Sequence, residues 1–180
     1  MARKTCNITL VIITMCSILF FNSCKKSIRT EHLKGIAKEF IGKSIILPEN
    51  LYDDFTAYNF RNFIFISYID SVECTRCVLE KIKQYMVHDF SKVLTDNLII
   101  INNFDEERVR KILSELYIDY PVLFDKTGEF KKKNYFLTED FFKYFVIDKR
   151  KKIIWLGSPI ETSKSWMLYN KLIRKSTKNI

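Results

Sequence analysis

Cys74 and Cys77 are the residues of this chain with the most chemistry to offer. Two cysteines separated by two residues can close a disulfide, open again to a dithiol, or supply part of a metal site. In disulfide exchange the thiolate attacks and the thiol does not, so a redox pair needs some device that lowers one pKa. Helix N-termini provide one, because their free N–H groups and positive dipole end stabilise an anion. The neighbouring residues carry charges of both signs. Arg76 is a cation inside the dipeptide, and Glu73 opposes it from the other side. Other readings of the pair stay open: a purely structural disulfide, or ligation of a metal. The only histidines are His32 and His88, and neither stands in a zinc-site spacing to the pair.

The surrounding pattern places the pair at a strand-to-helix junction. Phe63 to Ile69 is a nearly continuous apolar run rich in β-formers, as expected of a strand covered on both faces. After the cysteines, Val78, Ile82, Tyr85, Met86, Phe90 and Val93 recur at helical spacing, and Thr95-Asp96-Asn97 is expected to break that helix. Leu98 to Ile101 is the next buried strand. Asp105, Glu106 and Glu107 then open a second helix, with acids at its positive end and an apolar face of Val109, Ile112, Leu113 and Leu116.

The order strand, helix, strand, helix implies a right-handed βαβ unit. A short strand from Tyr120 to Asp125, a turn at Lys126 to Gly128 and a helical turn from Glu129 to Asn134 follow. Lys143 to Asp148 and Lys152 to Leu156 read as a hairpin, and a closing helix starts near Ser163. Upstream, Ile45 to Pro48 reads as an edge strand or strand start. The fold class is α/β, with a central mixed sheet flanked by helices. The aromatic residues Phe136, Phe141, Phe142, Tyr144 and Phe145 are expected mainly as core, with part available for a groove. His88 falls outside the apolar register of its helix and is expected to face solvent.

The N-terminal end carries a separate message. Arg3 and Lys4 precede an almost entirely apolar run from Ile8 to Phe21, shorter than the ~20 residues a membrane span needs. Phe21-Asn22-Ser23-Cys24 follows and resembles the lipobox of bacterial lipoproteins. That resemblance implies cleavage before Cys24 and lipidation of its thiol, each buried CH₂ of an acyl chain contributing ~0.8 kcal/mol to membrane attachment. An uncleaved anchor and an ordinary secretory signal are the alternatives. The expected organisation is a lipoprotein signal peptide over 1–23, a lipidated tether over 24–39 and one domain over 40–180. Cys6 and Cys16 would leave with the signal and Cys24 would carry lipid. Cys74 and Cys77 would then be the two mature thiols, in an oxidising compartment.

Of the 180 residues 47% are hydrophobic, enough for a real core without disulfide staples. The formal charge is +9, and it becomes +7 on loss of Arg3 and Lys4 with residues 1–23. A basic surface suits solubility or anionic headgroups, and no nucleic-acid-binding motif is present.

Residues 40–180 resemble the membrane-anchored, extracytoplasmic branch of the thioredoxin-like family, the thiol–disulfide oxidoreductases of bacterial envelopes. Three stretches carry the resemblance: Asn62 to Cys77, Tyr120 to Gly128, and Phe145 to Gly157. It implies a thioredoxin-like fold and thiol–disulfide exchange on envelope proteins, in the reductive direction. It makes Cys74, at a helix N-cap, the exposed nucleophile and Cys77, one turn on and more buried, the resolving thiol. No cofactor or metal is implied. The partners would be disulfide-bearing or dithiol envelope proteins, an electron-donor protein and, through the anchor, a membrane on its periplasmic side, inner or outer. A redox-inactive binding or structural module on the same scaffold is the competing reading.

Two departures stand out. Glu73 replaces the family's usual Trp before the first Cys. No Pro occupies the cis-Pro position, which counts to near Phe142, so the contact that normally receives substrate is altered. The family's buried acid falls on Tyr68, a poor proton acceptor near neutral pH, with Asp70 as the nearest carboxylate.

Overall fold

The computed structural model describes residues 31–60, 63–87, 95–159 and 161–177. They fall into two units divided between Glu39 and Phe40. The first holds all but the last residue of helix α1, residues 31–40, where Lys34 pairs with Glu31 at 2.7 Å.

The second unit follows the order read from the sequence, with one added helix. Its elements are α2 (Glu49–Ala57), β1 (Phe63–Ile69), α3 (Thr75–Val87), β2 (Thr95–Ile101), α4 (Glu106–Glu115), β3 (Val122–Phe124), α5 (Glu129–Lys133), two 3₁₀ turns at Tyr135–Thr138 and Asp140–Phe142, β4 (Tyr144–Asp148), β5 (Ile153–Leu156) and α6 (Ser163–Thr177). The strands form one mixed sheet in the order β3-β2-β1-β4-β5. β1 runs parallel to β2 and antiparallel to β4, so it is the central strand, and all seven of its residues are buried.

Alternation along β1 feeds both faces of the sheet. Phe63, Phe65 and Ile69 share one face. There Leu79 and Ile82 of α3, Val109 and Leu113 of α4, and Tyr169 and Ile173 of α6 build the core. Ile64, Ile66 and Tyr68 face the other way. On that side Tyr68 lies against Phe130 of α5, and Phe136 packs edge-on against Phe145 of β4.

Three expectations need correction. The second strand, expected from Leu98, begins three residues earlier at Thr95, because Phe63, Ile64 and Phe65 of β1 pair with Thr95, Asp96 and Asn97. Ile45 to Pro48 is no strand. An isolated bridge from Ser44 to Lys152 precedes it, and the Ile45 N–H donates to the Lys151 carbonyl at 2.9 Å. The Asn134 side-chain amide accepts the Ile46 N–H at 2.9 Å and donates to the Ile46 carbonyl at 2.8 Å. Helix α2, which the periodicity did not suggest, begins directly after Pro48, whose fixed φ and extended ψ suit a helix entry. Leu79, fully buried in α3, is also absent from the expected face, whereas Ile82 is present. Phe90, Val93 and His88 lie outside the described residues, as does the whole segment up to residue 30 that holds the lipobox-like sequence and Cys24. Among the described residues, no helix is long and apolar enough to cross a membrane.

Candidate functional site

β1 ends at Ile69, and the chain turns through Asp70 to Glu73 before α3 begins at Thr75. The carboxyl end of a parallel strand at the centre of an open α/β sheet is where ligand crevices form. Cys74 and Cys77 stand there, joined as a disulfide with their Cα atoms 5.4 Å apart. Cys74 occupies the N-cap position of α3. Its carbonyl accepts the Val78 N–H at 3.1 Å, and its Sγ accepts the Cys77 N–H at 3.4 Å. That amide is one of the orphan donors of the first helical turn, and it would meet a Cys74 thiolate after reduction. Cys77 was expected to be the more buried partner. Both cysteines are instead exposed, because the side of α3 packed into the core is that of Val78, Leu79 and Ile82.

A cleft of about 280 Å³ opens beside Cys74, lined by Glu73, Thr75, Arg76, Asn103, Asp105 and Arg108 among others. Its far wall is the start of α4, which Asp105 caps by accepting the Arg108 N–H at 3.0 Å. Asn103 donates to the Thr75 hydroxyl at 3.4 Å and links the β2 end to the α3 start.

The two charged residues singled out from the sequence both have partners. The Arg76 guanidinium meets Glu80 at 3.3 Å and Glu115 at 2.7 Å. Hydrogen bonding and charge from Glu115 raise its pKa further, while the Glu115 carboxyl is lowered in return. The cation therefore ties α3 to α4, and two exposed carboxylates compensate its charge. Glu73 closes the turn: its N–H donates to the Asp70 carbonyl at 3.1 Å, and its Oε2 accepts the Asp70 N–H at 2.9 Å. Its other oxygen, Oε1, receives the Lys143 ammonium at 3.1 Å.

Lys143 is the residue that sequence reasoning missed. It immediately precedes β4, one position beyond Phe142, and its carbonyl accepts the Tyr68 N–H at 2.8 Å. Its side chain is only 8% exposed and also pairs with Asp140 at 2.7 Å. Burial works to lower its pKa, but the hydrogen bonds to Asp140 and Glu73 override this and raise it. Phe142 itself is buried core, and no cis peptide bond occurs among the described residues. A lone cation in the aromatic run Phe141 to Phe145 was the available signal, since a buried lysine requires a carboxylate partner.

Asp70 and Tyr68 settle the question of the buried acid. Asp70 is buried and bonded to Lys131 of α5, with Ser71 donating to it as well. Burial works to raise its carboxyl pKa, and the Lys131 hydrogen bond and charge outweigh that and hold it below the usual value. It is therefore an ionised anchor, unsuited to take a proton near pH 7. Burial pushes the Tyr68 phenol further up, with Asp125 and Asp70 nearby adding to the rise. Asp125, also unmarked by the sequence, is fully buried and accepts the Phe130 N–H at 3.0 Å; burial raises its carboxyl pKa. His32 is exposed in α1. Among the described residues, no group of three or more His, Cys, Asp or Glu side chains is placed to share a metal ion.

No protein-family model matches the chain, and no curated protein matches it in sequence. Solved structures do resemble it. The peroxidoxin BcpB of Mycobacterium tuberculosis is 14% identical with a TM-score of 0.50, over 76% of this chain and 97% of that one. A protein described as the thiol:disulfide interchange protein DsbE of Chlorobium tepidum is also 14% identical with a TM-score of 0.50, over 74% and 97%. The strand order, the central β1 running into α3 and the closing β4–β5 hairpin with α6 agree with this likeness: the chain has a thioredoxin-like fold.

Proposed function

We propose that this protein is a thiol–disulfide oxidoreductase of the bacterial cell envelope, acting as a reductase on disulfide-bearing proteins through Cys74 and Cys77. The observation that carries the reading is the exposed Cys74–Cys77 disulfide at the head of α3, with the Cys77 N–H directed at the Cys74 sulfur. In the reduced form, the Cys74 thiolate attacks a substrate disulfide. A Cys74–substrate disulfide forms and one substrate thiolate leaves. Cys77, losing its proton to solvent, then attacks Cys74 Sγ, re-forms the Cys74–Cys77 bond and expels the second substrate thiolate. Two electrons pass from the pair to the substrate, and a donor dithiol protein must return them. No cofactor takes part.

Because both cysteines are exposed, the asymmetry between them rests on acidity rather than access. The N-cap sulfur gains the helix amide and dipole, whereas Cys77 lies within the first turn. In cells, Cys77→Ser should accumulate mixed disulfides through Cys74, seen by non-reducing electrophoresis, and Cys74→Ser should trap far fewer. If neither variant traps a partner, and Cys74 alkylates like an ordinary thiol of pKa ~8.5, a redox-inactive binding scaffold takes its place. A reduction potential near about −270 mV would support the reductive direction, and one near about −120 mV the oxidative one.

The anchor is part of the same proposal. Cys24, after Phe21-Asn22-Ser23, would carry the lipid and hold the domain to an envelope membrane. Mass spectrometry of the mature protein should find an acylated Cys24 at its N-terminus. A mature end elsewhere without acyl mass refutes that anchor.

A further inference from the structure

Glu73 and Lys143 stand 70 residues apart in the sequence, yet in space the Lys143 ammonium lies 3.1 Å from the Glu73 carboxylate. Glu73 puts a carboxylate one residue before the sulfur that must become an anion. Alone, it would disfavour the thiolate. Lys143 sets an ammonium on that carboxylate and has little freedom to leave, since its side chain is 8% exposed and its backbone carbonyl is tied to Tyr68. Glu73 in turn holds the Asp70 N–H and so fixes the turn that presents Cys74. A second cation, Lys131, grips the same turn at Asp70. The segment between β3 and β4 thus reaches across to the redox loop with two lysines.

We infer that Lys143 and Glu73 are positioning residues for Cys74: the ion pair neutralises the adjacent carboxylate and fixes the loop, and so sets how readily Cys74 ionises. The inference deepens the exchange reading above and rests on it. The charged groups that bear on Cys74 are Glu73, Arg76, Asp105 and Arg108 around the cleft, with Lys143, Asp140, Asp70 and Lys131 behind the loop. Arg76 is compensated by Glu80 and Glu115, and Lys143 is shared between Glu73 at 3.1 Å and Asp140 at 2.7 Å; of these carboxylates, Glu73 is the residue next to Cys74 in the chain.

The experiment measures iodoacetamide alkylation of the reduced full-length protein against pH. Peptide mass analysis resolves Cys74 from Cys77. Lys143→Met should raise the Cys74 midpoint by about one unit by exposing it to an unpaired Glu73. Glu73→Gln, which keeps an acceptor for the Asp70 N–H, should lower the midpoint. The double variant should return close to the wild type, Lys143→Arg should retain the wild-type value, and added salt should shrink every shift. A pair that serves only as a tether would lower thermal stability in each variant without moving the midpoint. Coincident midpoints in Lys143→Met, Glu73→Gln and the wild type therefore overturn the inference. This readout needs no substrate. A low Cys74 midpoint that no variant moves removes only the positioning role, whereas failure to trap clients in Cys77→Ser removes the exchange reading.

Discussion

The Asp70 carboxylate stays ionised in a buried site because Lys131 reaches it across the fold. Its pKa is depressed, so its stabilising contribution is present above the unfolded value of ~3.9 and is lost as pH falls through the lower folded value. Lys131→Met removes the cation and leaves burial dominant. The carboxyl pKa should then rise, and the acid-unfolding midpoint should move up in pH. At pH 7 the variant should lose about 2 kcal/mol, less than for a fully enclosed pair because Lys131 is partly exposed. Circular dichroism followed against pH and urea checks both; an unchanged acid midpoint contradicts the assignment. Lys143 behaves with the opposite sign. Its raised pKa gives a contribution that is complete below ~10.4 and disappears as pH climbs through the folded value. Glu73→Gln should bring alkaline unfolding to lower pH.

Helix α4 and the β4–β5 hairpin show how single residues hold elements beside the site. Asp105 caps α4 at the edge of the cleft. Asp105→Ala should cost about 1 kcal/mol in urea unfolding with an unchanged m-value. Gly157 ends β5 at φ +94°, with its N–H on the Tyr144 carbonyl at 2.8 Å. A Cβ there would lie 2.7 Å from the Phe141 ring, so Gly157→Ala meets both backbone strain and a clash. The expected cost is about 1–3 kcal/mol, lowering the melting temperature, with Phe141 displaced. Phe141→Ala in the same chain should recover only the clash, since the strain lies in the backbone.

At the scale of the whole molecule, the slowest amide exchange should fall in Ile64–Ile69 and Leu98–Ile101, because β1 and β2 are paired and buried on both faces of the sheet. Faster exchange there than in α2 would contradict β1 as the centre of the fold. From Phe63 onward the sequence by itself determined the order of elements and the place of Cys74, since apolar runs, helical spacing and turn residues act over a few positions. The strand from Phe63, the acids opening α4 and the closing helix from Ser163 are all local signals of this kind. Tertiary structure decided what no local pattern holds. β2 begins at Thr95 because β1 offers seven residues to pair with it, which outweighs the weak strand preference of Asp96 and Asn97. Cys77 is exposed because Val78, Leu79 and Ile82 form the side of α3 that packs into the core. Glu73 and Asp70 find Lys143 and Lys131 because antiparallel pairing of β1 with β4 brings the chain after β3 back to the redox loop. A charge carries no mark of its partner along the sequence. The register of the sheet sets their distance, and burial then makes the pairing obligatory.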